Sequence, residues 1–197
     1  MKVGVLGLQG DVREHLRALQ DCGVEPISVR RPQEINAVDA LIIPGGESTT
    51  IAHLAETFEV FDLISSRIKS GLPVYGSCAG MILLADRVLD ATAGQRTFGG
   101  MDITVRRNAF GRQVDSFEID IAMEGLTHTA MRAVFIRAPW VEQIGAGVQI
   151  LSTVTREGVS HPVAVREGHM LATSFHPELT DDSRIHRYFI DEVCKAA

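Results

Sequence analysis

The chain opens on a short, nearly continuous apolar run from Lys2 to Leu8, rich in Val and Leu. Apolar residues without alternation, over so few positions, are the pattern of a strand buried on both faces. Gly10 and Asp11 follow, and then Val12, Leu16 and Leu19 at helical spacing. Asp11 and Glu14 are spaced as a capping box, and Gly23 is placed to end the helix. Strand, tight loop and helix open a βαβ unit, and the phrase recurs. Pro26–Val29 and Ala40–Ile43 read as strands, with a helix after Ser48. Leu72–Tyr75 reads as a further strand, turning through glycines into a helical start at Met81–Ala85. Such alternation predicts an α/β fold in three layers, with a mainly parallel central sheet.

From about Met101 the rhythm changes. Segments 103–105, 117–121, 133–138, 148–154, 162–165 and 170–174 are strand-like, with little room for helices between them. An antiparallel extension of the sheet or a hairpin layer is expected there. Ile185, Phe189 and Val193 recur at four-residue spacing, so Ser183–Val193 should close the chain as an amphipathic helix. No linker, repeat or low-complexity tract interrupts the 197 residues, and 1–197 is read as a single domain.

Composition narrows the class of protein. A net charge of −6 argues against nucleic acid as a partner, and no apolar stretch approaches the roughly 20 residues a membrane helix needs. The N-terminus has no secretory pattern. Three widely spaced cysteines, Cys22, Cys78 and Cys194, form neither a disulfide framework nor a zinc pattern and suit a reducing cytosol.

Only Cys78 sits in a motif. Gly76-Ser77-Cys78-Ala79-Gly80 follows a strand and precedes a helix, as a nucleophile elbow requires: small neighbours relieve the crowding of a sharp turn. A helix N-terminus there would favour a thiolate, and the Ala79 N–H would face an oxyanion. The alternative is a buried core cysteine in a Gly-rich turn. Cys22, at a helix end, and Cys194, on the terminal helix, read as structural.

A thiolate that attacks a carbonyl needs a base, and the base needs an orienting group. His176 ends an apolar strand, Pro177 stops it, and Glu178 stands two residues on, where strand spacing would turn its carboxylate toward the imidazole. A surface His-Pro turn is the other reading. His161-Pro162 shares the dipeptide but has Val163 in the acid's place. His15, His53, His128, His169 and His186 read as surface or helix-face residues. Pro44-Gly45-Gly46-Glu47-Ser48-Thr49-Thr50 is a third strand end, whose paired glycines let backbone N–H groups approach a ligand while Ser48 or Thr49 caps the next helix. A plain turn with a helix cap explains the same string. No Walker A or GxGxxG pattern is present.

Together the elbow, the His-Pro-Glu segment and the Pro-Gly-Gly loop resemble a class I, or triad, glutamine amidotransferase domain of flavodoxin-like α/β fold. Leu8-Gln9-Gly10-Asp11, the 44–50 loop, the string from Arg107 to Glu118 and Phe135-Ile136-Arg137-Ala138-Pro139 narrow the resemblance to glutaminase subunits of pyridoxal 5′-phosphate synthase. The resemblance implies hydrolysis of L-glutamine to glutamate and ammonia, with ammonia passed to a separate synthase subunit in vitamin B6 synthesis. It assigns Cys78 as nucleophile, His176 as base and acid, and Glu178 as orienter. Gly46, Glu47 and Ser48, with Arg107, Ile136 and Arg137, would contact glutamine, and Ala79 and Gly46 would form the oxyanion hole. It implies no cofactor and no metal. Two other readings compete: a cysteine hydrolase or chaperone-like relative sharing the elbow, and a non-catalytic regulatory subunit. The intact triad weighs against the second.

Overall fold

The structure is a computed structural model that describes residues 1–110, 116–126 and 129–196. Positions 111–115 of the family-like string, and His128, lie outside the described residues.

Five parallel strands form the centre: β1 (Lys2–Leu6), β2 (Glu25–Val29), β3 (Ala40–Ile43), β4 (Val74–Ser77) and, far along the chain, β12 (Met170–Thr173). Two antiparallel strands, β11 (Val159–Glu167) and β10 (Gln149–Arg156), continue the sheet from β12. The resulting order is β10-β11-β12-β4-β3-β1-β2. Smaller sheets stand beside this one. One joins β5 (Ala85–Leu89), β6 (Met101–Arg106) and β9 (Trp140–Ile144), and the other pairs β7 (Ser116–Ile121) with β8 (Met131–Ile136). Of the region expected to be antiparallel, β10 and β11 extend the main sheet and β7 and β8 pair apart from it, whereas segment 170–174, expected there too, is the parallel β12 beside β4.

The apolar strands fill two cores at once. In β3, Leu41 and Ile43 enter one core while Ala40 and Ile42 enter the other, because successive side chains point to opposite faces. The first core is covered by α3 (Ser48–Thr57), α4 (Phe61–Lys69) and α5 (Ala79–Leu84) through Ile51, Ile64 and Met81. On the opposite face lie α1 (Val12–Asp21), through Leu19, and α6 (Arg184–Tyr188), through Ile185. Helices on both faces make the three layers. A short α2 (Pro32–Asn36) completes the set.

Several local expectations are corrected. The capping box at α1 does not form: Asp11 is the N-cap residue but makes no capping bond, its carboxylate being drawn instead to His176. Neither Ser48 nor Thr49 caps α3. Glu47 holds the N-cap position, the Ser48 hydroxyl accepts from Gln95, and Thr49 donates to the Glu47 carboxylate. The strand expected at Leu72–Tyr75 starts two residues later, since Pro73 has no N–H to give the ladder. The helix after the elbow begins at Ala79 rather than Met81. At the C-terminus, α6 passes into a wider turn at Phe189–Val193 and a tight one at Cys194–Ala196, yet Ile185, Phe189 and Val193 are buried on one side as their spacing implies. His15 and His186, expected as surface or helix-face residues, stand on α1 and α6, on faces that are fully buried. No helix among the described residues is long and apolar enough to cross a membrane.

Candidate active site

Parallel strands of an α/β sheet end on one edge, and loops leaving that edge converge there. The loops after β3, β4 and β12 deliver the 44–48 segment, Cys78 and His176 to one cavity of about 290 Å³. Gly46, Glu47, Ser48, Cys78, Ala79, Arg107, Ile136, Arg137 and His176 all line it. Of the residues singled out from the sequence, only Glu178 does not; it stands behind His176. Gln9, Asp11, Ile82 and Asn108 complete the wall and were not foreseen as site residues.

The elbow has the geometry its glycines predict. Cys78 is held at φ 48°, ψ −98°, a conformation that L residues adopt only under constraint. A side chain at position 76 would strike the Gly80 backbone, and one at position 80 would strike the Ile43 carbonyl. The turn is therefore closed to anything larger than glycine at both flanks. The thiol lies 3.9 Å from the Ile136 carbonyl oxygen, and Cys78 as a whole is only 7% exposed.

His176 follows β12, and its N–H is bonded to the Val134 carbonyl of β8 at 2.9 Å, which ties the turn to the neighbouring strand pair. Its Nδ1 is 2.9 Å from Glu178 Oε1 and 3.2 Å from Asp11 Oδ2. With Nδ1 engaged, Nε2 is the nitrogen free for the thiol. The i, i+2 proximity arises differently from the strand alternation expected: Pro177–Leu179 form a tight helical turn, which curls Glu178 back beneath the ring. Burial works against an imidazolium at His176, but hydrogen bonds with Asp11, Cys78 and Glu178 outweigh it and push the pKa up to about 12. For Glu178, burial favours the neutral acid, but His15 and His176 prevail and hold the carboxyl well below the usual range. The pair is thus ionic, an imidazolium held against a carboxylate. Asp11, His176 and Glu178 also cluster within 4.8 Å. That grouping is one imidazole nitrogen between two carboxylates, which accounts for it without a cation.

The opposite wall is a polar lattice. Gln9 Oε1 accepts the Glu47 N–H at 2.8 Å and occupies the space a side chain at Gly46 would need. Arg107 places Nη2 2.9 Å from Glu47 Oε1 and Nη1 2.8 Å from Gln95 Oε1, while Gln95 Nε2 donates to Ser48 at 3.0 Å. Arg137 holds a left-handed backbone, φ 43°, at the rim. Gln95 was missed because it sits in a polar stretch with no motif, and only the fold brings it to Ser48.

The other cysteines are placed differently. Burial raises the Cys22 thiol above its ordinary value and pushes Cys194 up to about 12, so both are held as thiols. Neither lines the cavity.

A family model described as the SNO glutamine amidotransferase family matches residues 5–195. The chain is 60% identical to the pyridoxal 5′-phosphate synthase subunit PdxT of Mycobacterium marinum over 195 residues, 98% of this chain and 96% of that one. It is 56% identical to the same subunit of Rhodococcus opacus over 194 residues, 97% of this chain and 96% of that one. The crystal structure of a glutamine amidotransferase superposes with a TM-score of 0.89 at 46% identity, covering 98% of both chains. Its fold, its cavity and these relatives agree, and the chain belongs to the SNO glutamine amidotransferase family.

Proposed function

We propose that the protein is the glutaminase subunit of a pyridoxal 5′-phosphate synthase, with Cys78, His176 and Glu178 as its triad. The observation that carries this reading is the meeting of a strained cysteine elbow with a carboxylate-backed imidazole at one cavity. In the first step the Cys78 thiolate attacks the side-chain amide of glutamine. The tetrahedral oxyanion is met by the Ala79 N–H at the start of α5 and by the Gly46 backbone. His176, already protonated, gives its proton to the departing ammonia and then takes one from the water that cleaves the γ-glutamyl thioester. Glu178 holds the ring in one tautomer throughout.

Glu47, Ser48, Arg107, Ile136 and Arg137 bind the rest of the substrate. The arginines supply charge for the α-carboxylate. Because Arg107 grips one Glu47 oxygen, the other is left for the α-ammonium. We take 1–197 as one domain, since both cores pack on the same sheet, and place it in the cytosol, where its three unpaired cysteines stay reduced. Ammonia then passes to a synthase subunit, as the names of the PdxT relatives support.

The test is ammonia release from glutamine by the chain mixed with its synthase. Wild type should release ammonia and Cys78→Ala should fall to background. Equal release by the two would remove Cys78 from the mechanism.

A further inference from the structure

Behind the triad, on the side away from the cavity, lies a second set of polar side chains that the hydrolysis as described does not use. His15 of α1 and His186 of α6 are both fully buried, as is Ser77, the residue before the nucleophile. His15 Nδ1 faces His186 Nε2 at 2.9 Å, and His15 Nε2 faces Ser77 Oγ at 3.0 Å and Glu178 Oε1 at 3.4 Å. Ser77 Oγ is also 3.4 Å from Glu178 Oε1. Tyr75 stands edge-on to both imidazoles, with ring centroids 6.0 and 5.9 Å away, and fixes their planes.

The donors and acceptors admit one consistent assignment. An ionised carboxylate only accepts, so the Ser77 hydroxyl donates to Glu178, and His15 Nε2 carries the hydrogen that Ser77 Oγ accepts and that faces Glu178 at 3.4 Å. With its hydrogen on Nε2, His15 has a lone pair on Nδ1, and that lone pair takes the N–H of His186 Nε2. His186 Nδ1 is then a bare lone pair. It has no partner among the described residues, a vacancy easier to tolerate than a buried N–H with no acceptor. His186 is suited to this neutral form, because burial, the largest influence on it, lowers its pKa well below the ordinary value. The opposite assignment would put an unsatisfied N–H at that atom.

The contacts on Glu178 are one-sided. Oε1 is approached by His176, Ser77 and His15, while Oε2 is buried with no partner among the described residues. The carboxylate is therefore held in place through the oxygen that also orients the catalytic imidazole. We propose that His15 is a positioning residue of the glutaminase, locking the Glu178 carboxylate against His176 directly and through Ser77, with His186 setting the tautomer that allows it. The proposal rests on the reading that Glu178 orients His176 for glutamine hydrolysis.

The test is steady-state kinetics of His15 variants assembled with the synthase. His15→Leu removes both contacts and should lower kcat about 10- to 100-fold, the range typical when an outer hydrogen-bond partner of a functional ligand is lost. KM for glutamine should stay within about twofold, because no substrate contact changes. His15→Gln puts an amide N–H where Nε2 stands and should recover most of kcat. Should His15→Leu fail to fold, His15→Asn against His15→Gln decides: Asn reaches His186 but is too short for Glu178, so Gln must be the more active. Equal losses in Gln and Leu, a loss confined to KM, full activity in Leu, or Asn matching Gln would each overturn the role. Wild-type complex and Cys78→Ala run alongside. A wild type without ammonia release, or an active Cys78→Ala, defeats the glutaminase reading before any His15 variant is compared and takes this role with it.

Discussion

Glu178 has two sides, and they are built by different means. Toward the cavity it meets His176, two residues away, through a turn that Pro177 imposes. Toward the core it meets His15 and Ser77, carried by α1 and β4 and backed by His186 of α6. The cavity side comes from short-range chain geometry, the core side from the packing of two distant helices against one sheet. A change on the cavity side alters chemistry while leaving the fold intact. On the core side a change perturbs packing and chemistry together, so its effect on turnover is readable only beside a variant of similar shape.

The largest effect that sharpens this contrast is expected from Glu178→Gln. An amide in place of the carboxylate favours the wrong tautomer of His176, and kcat should fall by about 10²- to 10⁴-fold while the protein stays folded. Asp11→Asn is the matched control. Asp11 reaches the same Nδ1 at 3.2 Å, but its side chain is 34% exposed and solvent weakens its hold, so the loss should stay within about tenfold. Kinetics of both variants in the synthase complex check the order. If Asp11→Asn proves the more damaging, the orienting carboxylate is the one in the cavity wall, and the core side of Glu178 loses its catalytic meaning.

A smaller effect separates the three thiols. A glutamine-mimicking electrophile at neutral pH should label Cys78 at least about 100-fold faster than Cys22 or Cys194, whose thiols are raised by burial. Peptide mass spectrometry over time gives the three rates. Uniform labelling would mean that the elbow and its imidazole confer no special reactivity.

The same contrast explains how much could be read from the sequence. The elbow was legible because its constraint is local: Gly76 and Gly80 are required by atoms within a few residues or on the adjoining strand. The two His-Pro dipeptides were separable for a related reason. His161 stacks on Trp140 at 3.7 Å on an antiparallel strand, while His176 ends a parallel strand at the cavity with an acid two residues on. His15 and His186 read as surface or helix-face residues and do stand on helices, four residues from Leu19 and three from Phe189, but a histidine on an apolar face is buried only where it finds polar partners, which the sequence does not show. Their partner is each other, and only the docking of α1 and α6 on the same sheet face joins them. Asp11 was misassigned because a helix N-cap and an imidazole partner call for the same short acidic residue after the same tight loop. The strands β5 and β9, with less burial on their outer faces, carry too little apolar pattern to mark them in advance.

The smallest effect is on stability, and its sign follows from the His176–Glu178 pair. His176 has a folded pKa of about 12 against an ordinary value of 6.5. Its contribution is complete below about pH 6.5 and declines as pH rises toward 12. Glu178 is shifted the other way, so its contribution is complete above its ordinary 4.5 and is lost as the solution becomes more acid. Between those limits, near pH 4.5 to 6.5, both are present and the melting temperature should be level in this respect. Above pH 9 the raised Cys22, Cys194 and Tyr75 groups begin to lower stability as well, each ionising more readily in the unfolded chain. The window that isolates His176 is therefore pH 6.5 to 9. Across it, the margin by which wild type melts above His176→Gln should shrink steadily, read by thermal unfolding at each pH. A constant margin would mean that His176 is not held as an imidazolium in the folded protein. Turnover would then have to begin with proton transfer from a neutral Cys78 thiol rather than with direct attack by a thiolate.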